Sequence, residues 1–180
     1  HITFKKLKLD ILDIYNKEED SISNGRNIIS LLKSSISTDY KIDDDIIIFN
    51  SNKSRIKNIK IDYKGNLSVN PFDLNLNINI NDYKLFKTLN TNSILNELIK
   101  TQLLFNENIS INTFITTSSN SKKEIFQNAT VYFNVTNGKI NFNKTRLINE
   151  KIGSLEIANS NLFFKNDRLI LNTDVIIDVT

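Results

Sequence analysis

Apolar and polar residues alternate along most of this chain with a period of two, the pattern of strands that bury one face and wet the other. The clearest case is Leu74, Leu76, Ile78 and Ile80 interleaved with Asn75, Asn77, Asn79 and Asn81. One face of that segment is wholly aliphatic and the other wholly amide. Leu67, Val69 and Pro71 have the opposite parity, which predicts a bulge or kink at Pro71-Phe72, because proline donates nothing to a ladder. Turn residues punctuate the alternation. Ile59, Ile61 and Tyr63 run into Lys64-Gly65-Asn66 and return as Leu67 and Val69, the outline of a hairpin. Val131, Phe133 and Val135 lead through Asn137-Gly138 to Ile140 and Phe142, and Asn-Gly is the strongest short hairpin signal. Leu162 and Phe164 precede Asn166-Asp167, followed by Leu169, Leu171, Val175, Ile177 and Val179. Further strands are predicted at Leu7, Leu9 and Ile11, at Ile46–Phe49, at Ile109–Thr116 and at Ser154–Ala158.

Two segments break this rhythm. Residues 26–36 carry Ile28, Ile29, Leu31, Leu32 and Ile36 at helical spacing, with Asn24-Gly25 at their start. Residues 93–104 carry Ile94, Leu95, Leu98, Ile99 and Leu103 at steps of three and four, with Asn92 or Ser93 as cap and Glu97 in the first turn. The expected fold is therefore mainly β: a long twisted antiparallel sheet, forming either an open groove or a sandwich, with two short amphipathic helices. Four glycines and one proline leave no flexible linker, so residues 1–180 read as one domain. No strict repeat emerges that would define a solenoid.

Composition removes whole classes of chemistry. The 180 residues include no cysteine, and the single histidine is His1. Thiolate nucleophiles, disulfides, Cys-ligated metals and His-based triads all lose their central residue. Ile and Asn make up about a third of the chain and Lys far outnumbers Arg, the bias of an A- and T-rich genome. A formal charge of +3 and a pI near 9.0 come from lysines spread along the chain, so no nucleic-acid partner is expected. Lys5, Lys6 and Lys8 form the tightest basic group and fit the wet face of a strand. The longest apolar run, Ile46–Phe49, is far below the ~20 residues of a membrane span. No signal peptide is visible. The chain lacks methionine and starts and stops within strand-like pattern, so it reads as a piece of a longer protein, in which a targeting or anchoring segment would lie upstream.

Candidate sites are few. Asp43-Asp44-Asp45 lacks the spaced ligands, glycine and terminal Glu of a calcium loop, and reads as a solvated turn, as does Glu18-Glu19-Asp20. Nothing in the spacing nominates the facing carboxylates of a glycosidase, so no catalytic, metal or cofactor residues are expected. Asn-x-Ser/Thr triplets at Asn66, Asn108, Asn128, Asn134 and Asn143 arise by chance in so Asn-rich a chain. Gly25, Gly65, Gly138 and Gly153 are isolated and mostly turn-like, with no phosphate-binding loop among them. The informative feature is collective: long aliphatic strand faces backed by amide and lysine faces. Such faces either meet each other in a sandwich or stay partly open to receive something apolar.

Specific stretches point further. Asn128–Asn143 (NATVYFNVTNGKINFN), Gly153-Ser154-Leu155-Glu156-Ile157 and Leu162–Leu171 resemble the C-terminal β-repeat region of AsmA-like proteins. The segment from Gly65 through Leu76 and the passage Ile94–Ile115 resemble the same unit, whereas the first forty residues do not share it. The resemblance implies a repeating β-groove lipid carrier of the diderm bacterial envelope. Such a protein is held in the inner membrane, extends through the periplasm and carries phospholipid towards the outer membrane. It implies no enzyme activity and no cofactor, with phospholipid and envelope membrane proteins as partners. The residues expected to face lipid are Leu74, Leu76, Ile78, Ile80, Val131, Phe133, Val135, Ile140 and Phe142. The alternative is a surface or adhesive β-domain that binds protein or glycan through its Asn-rich face.

Overall fold

The computed structural model describes residues 1–5, 9–17, 22–31, 33–57, 59–81, 101–119 and 124–180. Its strands all belong to one sheet. The first seven follow one another in space as they do in sequence: β1 (Ile2–Phe4), β2 (Leu9–Lys17), β3 (Ile22–Leu31), β4 (Ser34–Asp43), β5 (Ile46–Ile56), β6 (Ile59–Val69) and β7 (Phe72–Asn81). Then come β8 (Ile109–Ser118), β9 (Asn128–Thr136), β10 (Lys139–Asn141), β11 (Thr145–Asn149), β12 (Gly153–Lys165) and β13 (Arg168–Val179). Every described pairing is antiparallel except β7–β8, which is parallel. A parallel pair needs a crossover rather than a hairpin.

The mainly β character and the antiparallel meander expected from alternation are present. The helix expected over 26–36 is not. Those residues form the β3–β4 hairpin, in which Ile29 pairs with Ile36 and Ile28 with Ser37. Ile29 joins the apolar face while Ile28 turns to the other, so the apolar spacing that imitates a helix is two alternating runs joined by a turn at Lys33. Of the second helix, Ile94, Leu95, Leu98 and Ile99 lie outside the described residues. Leu103 opens a 3-10 turn, Leu103–Phe105.

The hairpin expected at Lys64-Gly65-Asn66 is also corrected. β6 runs straight through these residues, and the chain reverses at Asn70-Pro71, where proline's missing N–H costs no ladder bond. Gly65 and Gly25 are not turn residues. Gly25 pairs with Tyr40 and Gly65 with Phe49, and a Cβ on either would stand within 3 Å of the opposing ring. Aromatic rings laid over strand glycines cover backbone that a glycine leaves bare. The Asn137-Gly138 and Asn166-Asp167 hairpins form as expected, with positive φ at all four residues.

Three irregularities keep the apolar residues on one side. In β5 Asn52 and Lys53 together stand against the single residue Asp62, one extra residue between the pairs Ser51–Tyr63 and Ser54–Ile61. β10 and β11 share one position between β9 and β12 and are broken at 142–144. β12 bulges between Ala158 and Asn161. At all three sites the parity of apolar positions flips. Ile140 is even and Leu147 odd, Leu155 is odd and Leu162 even, yet all four share a face.

Side chains patch the ladder at these breaks. The Ser54 hydroxyl accepts from Ser37 N–H at 3.0 Å and donates to Ser37 C=O at 3.4 Å. Thr145 Oγ1 does the same for Tyr132, accepting from its N–H at 3.0 Å and donating to its C=O at 3.2 Å. Ser54 and Thr145 are buried. The buried hydrophobic cluster lies in the C-terminal part, where Leu104 of the 3-10 turn packs with Val135, Ile140 and Leu162. The Phe105 and Phe164 rings meet edge to face beside it, at 4.8 Å.

Candidate functional site: an aliphatic face and an amide face

Residues directly opposite each other in a ladder point to the same side, so the register sorts the sheet into two faces. One face carries an unbroken aliphatic row at right angles to the strands. It runs Ile42, Ile47, Leu67, Leu74, Ile111, Val135, Ile140, Leu162 and Leu171, one residue from each strand it crosses. Eight steps of ~4.8 Å make this row roughly 38 Å long. Parallel rows flank it. One passes through Phe49, Gly65, Leu76, Thr113 and Phe133, and another through Tyr63, Ile78, Ile115 and Val131. A further row contains Ile61, Ile80, Thr117, Ala129, Leu147, Leu155 and Ile177.

All nine residues predicted to face lipid lie on this side, in two environments. Leu74, Leu76, Ile78, Ile80, Val131, Phe133 and Phe142 are half-buried, and the Phe133 and Phe142 rings touch at 5.7 Å. Val135 and Ile140 have no exposed surface, because Leu104 and Leu162 close over them. These two are core. Alternation identified the segments that carry these nine residues but not the row, since neither the neighbour of a strand nor its register can be read from a period of two. Ile42, Ile47, Leu67, Ile111, Leu162 and Leu171 were missed as members for that reason.

Towards β2 the aliphatic character of this face gives way to hydroxyl and carboxylate groups. The Tyr40 hydroxyl donates to Asp13 at 3.0 Å, Tyr15 and Ser23 share a hydrogen bond of 2.8 Å, and Thr38 bonds the Tyr63 hydroxyl. Burial pushes the Tyr40 phenol above its usual pKa, and its hydrogen bond to the Asp13 carboxylate adds to the shift.

From β7 to β10 the opposite face is polar and rich in amides. Asn75, Asn112, Asn134 and Asn141 stand in register on β7, β8, β9 and β10. Asn141 donates to Asn134 at 3.3 Å, Asn134 donates to Asn112, Asn112 to Asn75 at 3.0 Å, and Asn75 to Asp73 at 3.1 Å. Phe114 and Tyr132 interrupt the amides as a tilted pair, 4.8 Å apart. Shallow depressions open on this side. One of about 570 Å3 is bordered by Asn50, Asp62, Lys64, Asn77, Asn79 and Phe114, and another of about 660 Å3 by Ile46, Ile48 and Asn66. Nearer β2, Arg26 pairs across the ladder with Asp39. Its hydrogen bond holds the Asp39 carboxyl below the ordinary range.

No family model, curated protein or solved structure matches this chain.

Proposed function

We propose that the aliphatic face holds lipid acyl chains, and that the chain is a non-enzymatic segment of an AsmA-like bacterial envelope protein that conducts phospholipid through the periplasm. The observation that carries this reading is the open part of the aliphatic row, Ile42, Ile47, Leu67, Leu74 and Ile111, continuous over five strands up to the closed cluster at Val135. A bilayer's hydrocarbon core is about 30 Å thick, so one leaflet's chains reach about 15 Å. Four steps of ~4.8 Å from Ile42 to Ile111 give roughly 19 Å, enough for such a chain to lie along this part of the row. Each CH2 taken from water contributes ~0.8 kcal/mol, so a chain is retained by area alone, with its headgroup in water and no charged anchor. The half-buried state of Leu74, Leu76, Ile78 and Ile80 supports a surface that gains from being covered. In this reading the sheet is an open twisted groove, with the apolar side as its floor. The test is native mass spectrometry of gently purified protein, with lipid extraction from the same sample. Bound phospholipid at fixed stoichiometry is the expected result. A lipid-free mass, with no uptake from phospholipid vesicles, overturns it.

A second reading is favoured by one observation, the depressions on the amide face beside Phe114 and Asp62. An aromatic ring among amides and a carboxylate is the chemistry that recognises a glycan or a polar protein surface. If that face is the working one, Phe114→Ala removes ligand capture on a glycan or protein array and lipid is absent from the purified chain.

A further inference from the structure

The amides of the polar face divide into two groups. Asn75, Asn112, Asn134 and Asn141 hydrogen-bond one another through their carboxamides. Asn50, Asn52 and Asn77 are exposed, and among the described residues their side chains have no hydrogen-bond partner. All three border the depression of about 570 Å3. The register places Asn50, Lys64, Asn77 and Phe114 in one row across β5 to β8 along it. The β5 bulge lies at the same place, setting Asn52 and Lys53 against Asp62, and bulges re-aim side chains beside functional sites. Asp62 Oδ2 holds Lys60 Nζ at 3.1 Å, while its Oδ1 is buried with no partner among the described residues. An acceptor left in that state costs free energy, and the broad χ2 torsion of an aspartate lets it turn to the depression it borders. Phe114 is shared with a second depression of about 220 Å3, bordered by Tyr132 and Asn134.

We propose that these depressions are two subsites for a neutral oligosaccharide laid across β5 to β9, with Phe114 as the stacking platform between them. The inference rests on the second reading above, in which the amide face is the working one, and commits that face to a glycan. A sugar ring has an apolar face of C–H groups and an edge of hydroxyls that each donate and accept. Phe114 offers apolar surface to the first. The second is met by Asn50, Asn52 and Asn77, each with two amide hydrogens and a carbonyl oxygen to give, and by Asp62, which only accepts. The local charge selects a neutral ligand. An anion would meet the Asp62 carboxylate, and a cation would meet Lys64 and the Lys60 that Asp62 holds. A protein partner fits less well, because the core of a protein interface is broad, aromatic and poor in charge, whereas here one ring stands among polar groups in a hollow. Sharing Phe114 between two depressions calls for a ligand of more than one ring.

The free carboxamides are themselves the reporters. The test is a nitrogen-15 NMR titration of the whole chain with cellohexaose, maltohexaose and N-acetylated chitohexaose, and separately with a mixture of neutral hexapeptides. At least one oligosaccharide should shift the side-chain amide signals of Asn50, Asn52 and Asn77 saturably, and the peptides should not. Phe114→Ala should weaken that binding about tenfold, the loss expected of an aromatic contact. Asn77→Ala changes only an exposed side chain and should weaken it about fivefold, one hydrogen bond's worth. Asn141→Ala, on the same face but away from both depressions, should bind as the unmodified chain does. Far-UV circular dichroism of each variant shows that the fold is kept. Peptides that shift these signals where the sugars do not overturn the glycan assignment and leave the amide face as the working surface. Signals that no probe moves overturn both. Sugar binding that Phe114→Ala and Asn77→Ala leave unchanged, each still folded, overturns the site.

Discussion

Asn112 stands directly opposite Asn75 across the parallel β7–β8 ladder, and its side-chain amide donates to Asn75 Oδ1 over 3.0 Å. The bond is one step of a relay in which each carboxamide gives its N–H to the next and accepts from the one before. Asp73 ends the relay as a group that only accepts, and so sets the direction of every amide behind it. In-register side-chain amides add cross-strand bonds that backbone pairing does not provide, and they pin β7 and β8, the parallel pair, in register.

The relay predicts a graded response. Asn112→Ala removes two side-chain bonds at its centre and should lower stability by about 1–2 kcal/mol, at the usual net worth of a hydrogen bond. Asp73→Asn leaves a donor at the terminus and lets the amides reverse, so its cost should stay below about 1 kcal/mol. Urea unfolding reads both: the midpoint should shift with an unchanged slope, and more for Asn112→Ala.

Gly65 and Gly25 should respond differently to the same substitution. A Cβ on Gly25 meets the Tyr40 ring end at 2.3 Å, which a side-chain rotation relieves. A Cβ on Gly65 meets the Asn75 carbonyl oxygen at 2.3 Å as well as the Phe49 ring, and a backbone carbonyl cannot step aside. Gly65→Ala should therefore cost about 2–3 kcal/mol and Gly25→Ala clearly less. Tyr40→Ala added to Gly25→Ala should recover part of the loss, whereas Phe49→Ala added to Gly65→Ala should not. Thermal melts of the four variants decide it.

Ser54 completes a ladder that its own strand has broken. Replacing it by alanine leaves the N–H and C=O of Ser37 without this partner in a site the Ser54 side chain shares with Ser51, 2.7 Å away. Ser54→Ala should cost about 1–3 kcal/mol, the penalty of buried backbone groups left unpaired, although it removes a single oxygen. Hydrogen exchange should show the loss locally, with the Ser37 amide losing protection before amides in β8 and β9.

What the sequence disclosed follows from physics that acts at short range. Turn chemistry placed Asn137-Gly138 and Asn166-Asp167 correctly, because positive φ is a local demand. Alternation found segments of β6 to β10, β12 and β13, but not β11. It failed at 26–36, where serines and isoleucines in a two-strand hairpin imitate a helical stripe, and at Gly65, which was read as a turn. Gly65 is there for Phe49, a residue on the neighbouring strand whose pairing is a property of register. The same blindness hides the aliphatic row. Leu74 and Ile111 are neighbours only because β7 and β8 pair in parallel, and no period in the sequence announces that.

The Arg26–Asp39 pair gives a pH dependence with a definite sign. The Asp39 carboxyl is held below its unfolded value by the guanidinium, so the pair's contribution is fully present above the unfolded carboxylate range, about pH 4. It is lost as the pH falls below that range and through the folded value. Carboxyl-detected NMR titration should place the Asp39 midpoint below the ordinary aspartate value. In Arg26→Gln the midpoint should return towards the ordinary value, and 1 M salt should move the wild-type midpoint only part of the way. An unshifted Asp39 midpoint in the wild type would falsify the pairing.

The aliphatic face and the closed cluster make opposite predictions for one kind of substitution. Ile78 is half-buried in the face, whereas Val135 is sealed beneath Leu104. A carboxylate at position 78 can reach water past its neighbours, so Ile78→Asp should fold with a loss of about 1–2 kcal/mol. It puts a charge on the path of any acyl chain crossing β7, and desolvating that charge costs several kcal/mol, more than a few CH2 groups return. Lipid retention should therefore fall at least tenfold in a chain with intact far-UV circular dichroism. Val135→Asp has no route to water and should unfold the C-terminal cluster, costing more than about 4 kcal/mol whatever the lipid content. If Ile78→Asp unfolds the chain as Val135→Asp does, the two positions are equivalent core and the face is closed. If Ile78→Asp folds and still retains lipid, the acyl chains lie elsewhere, and the half-buried isoleucines of β7 serve only to hold the sheet together.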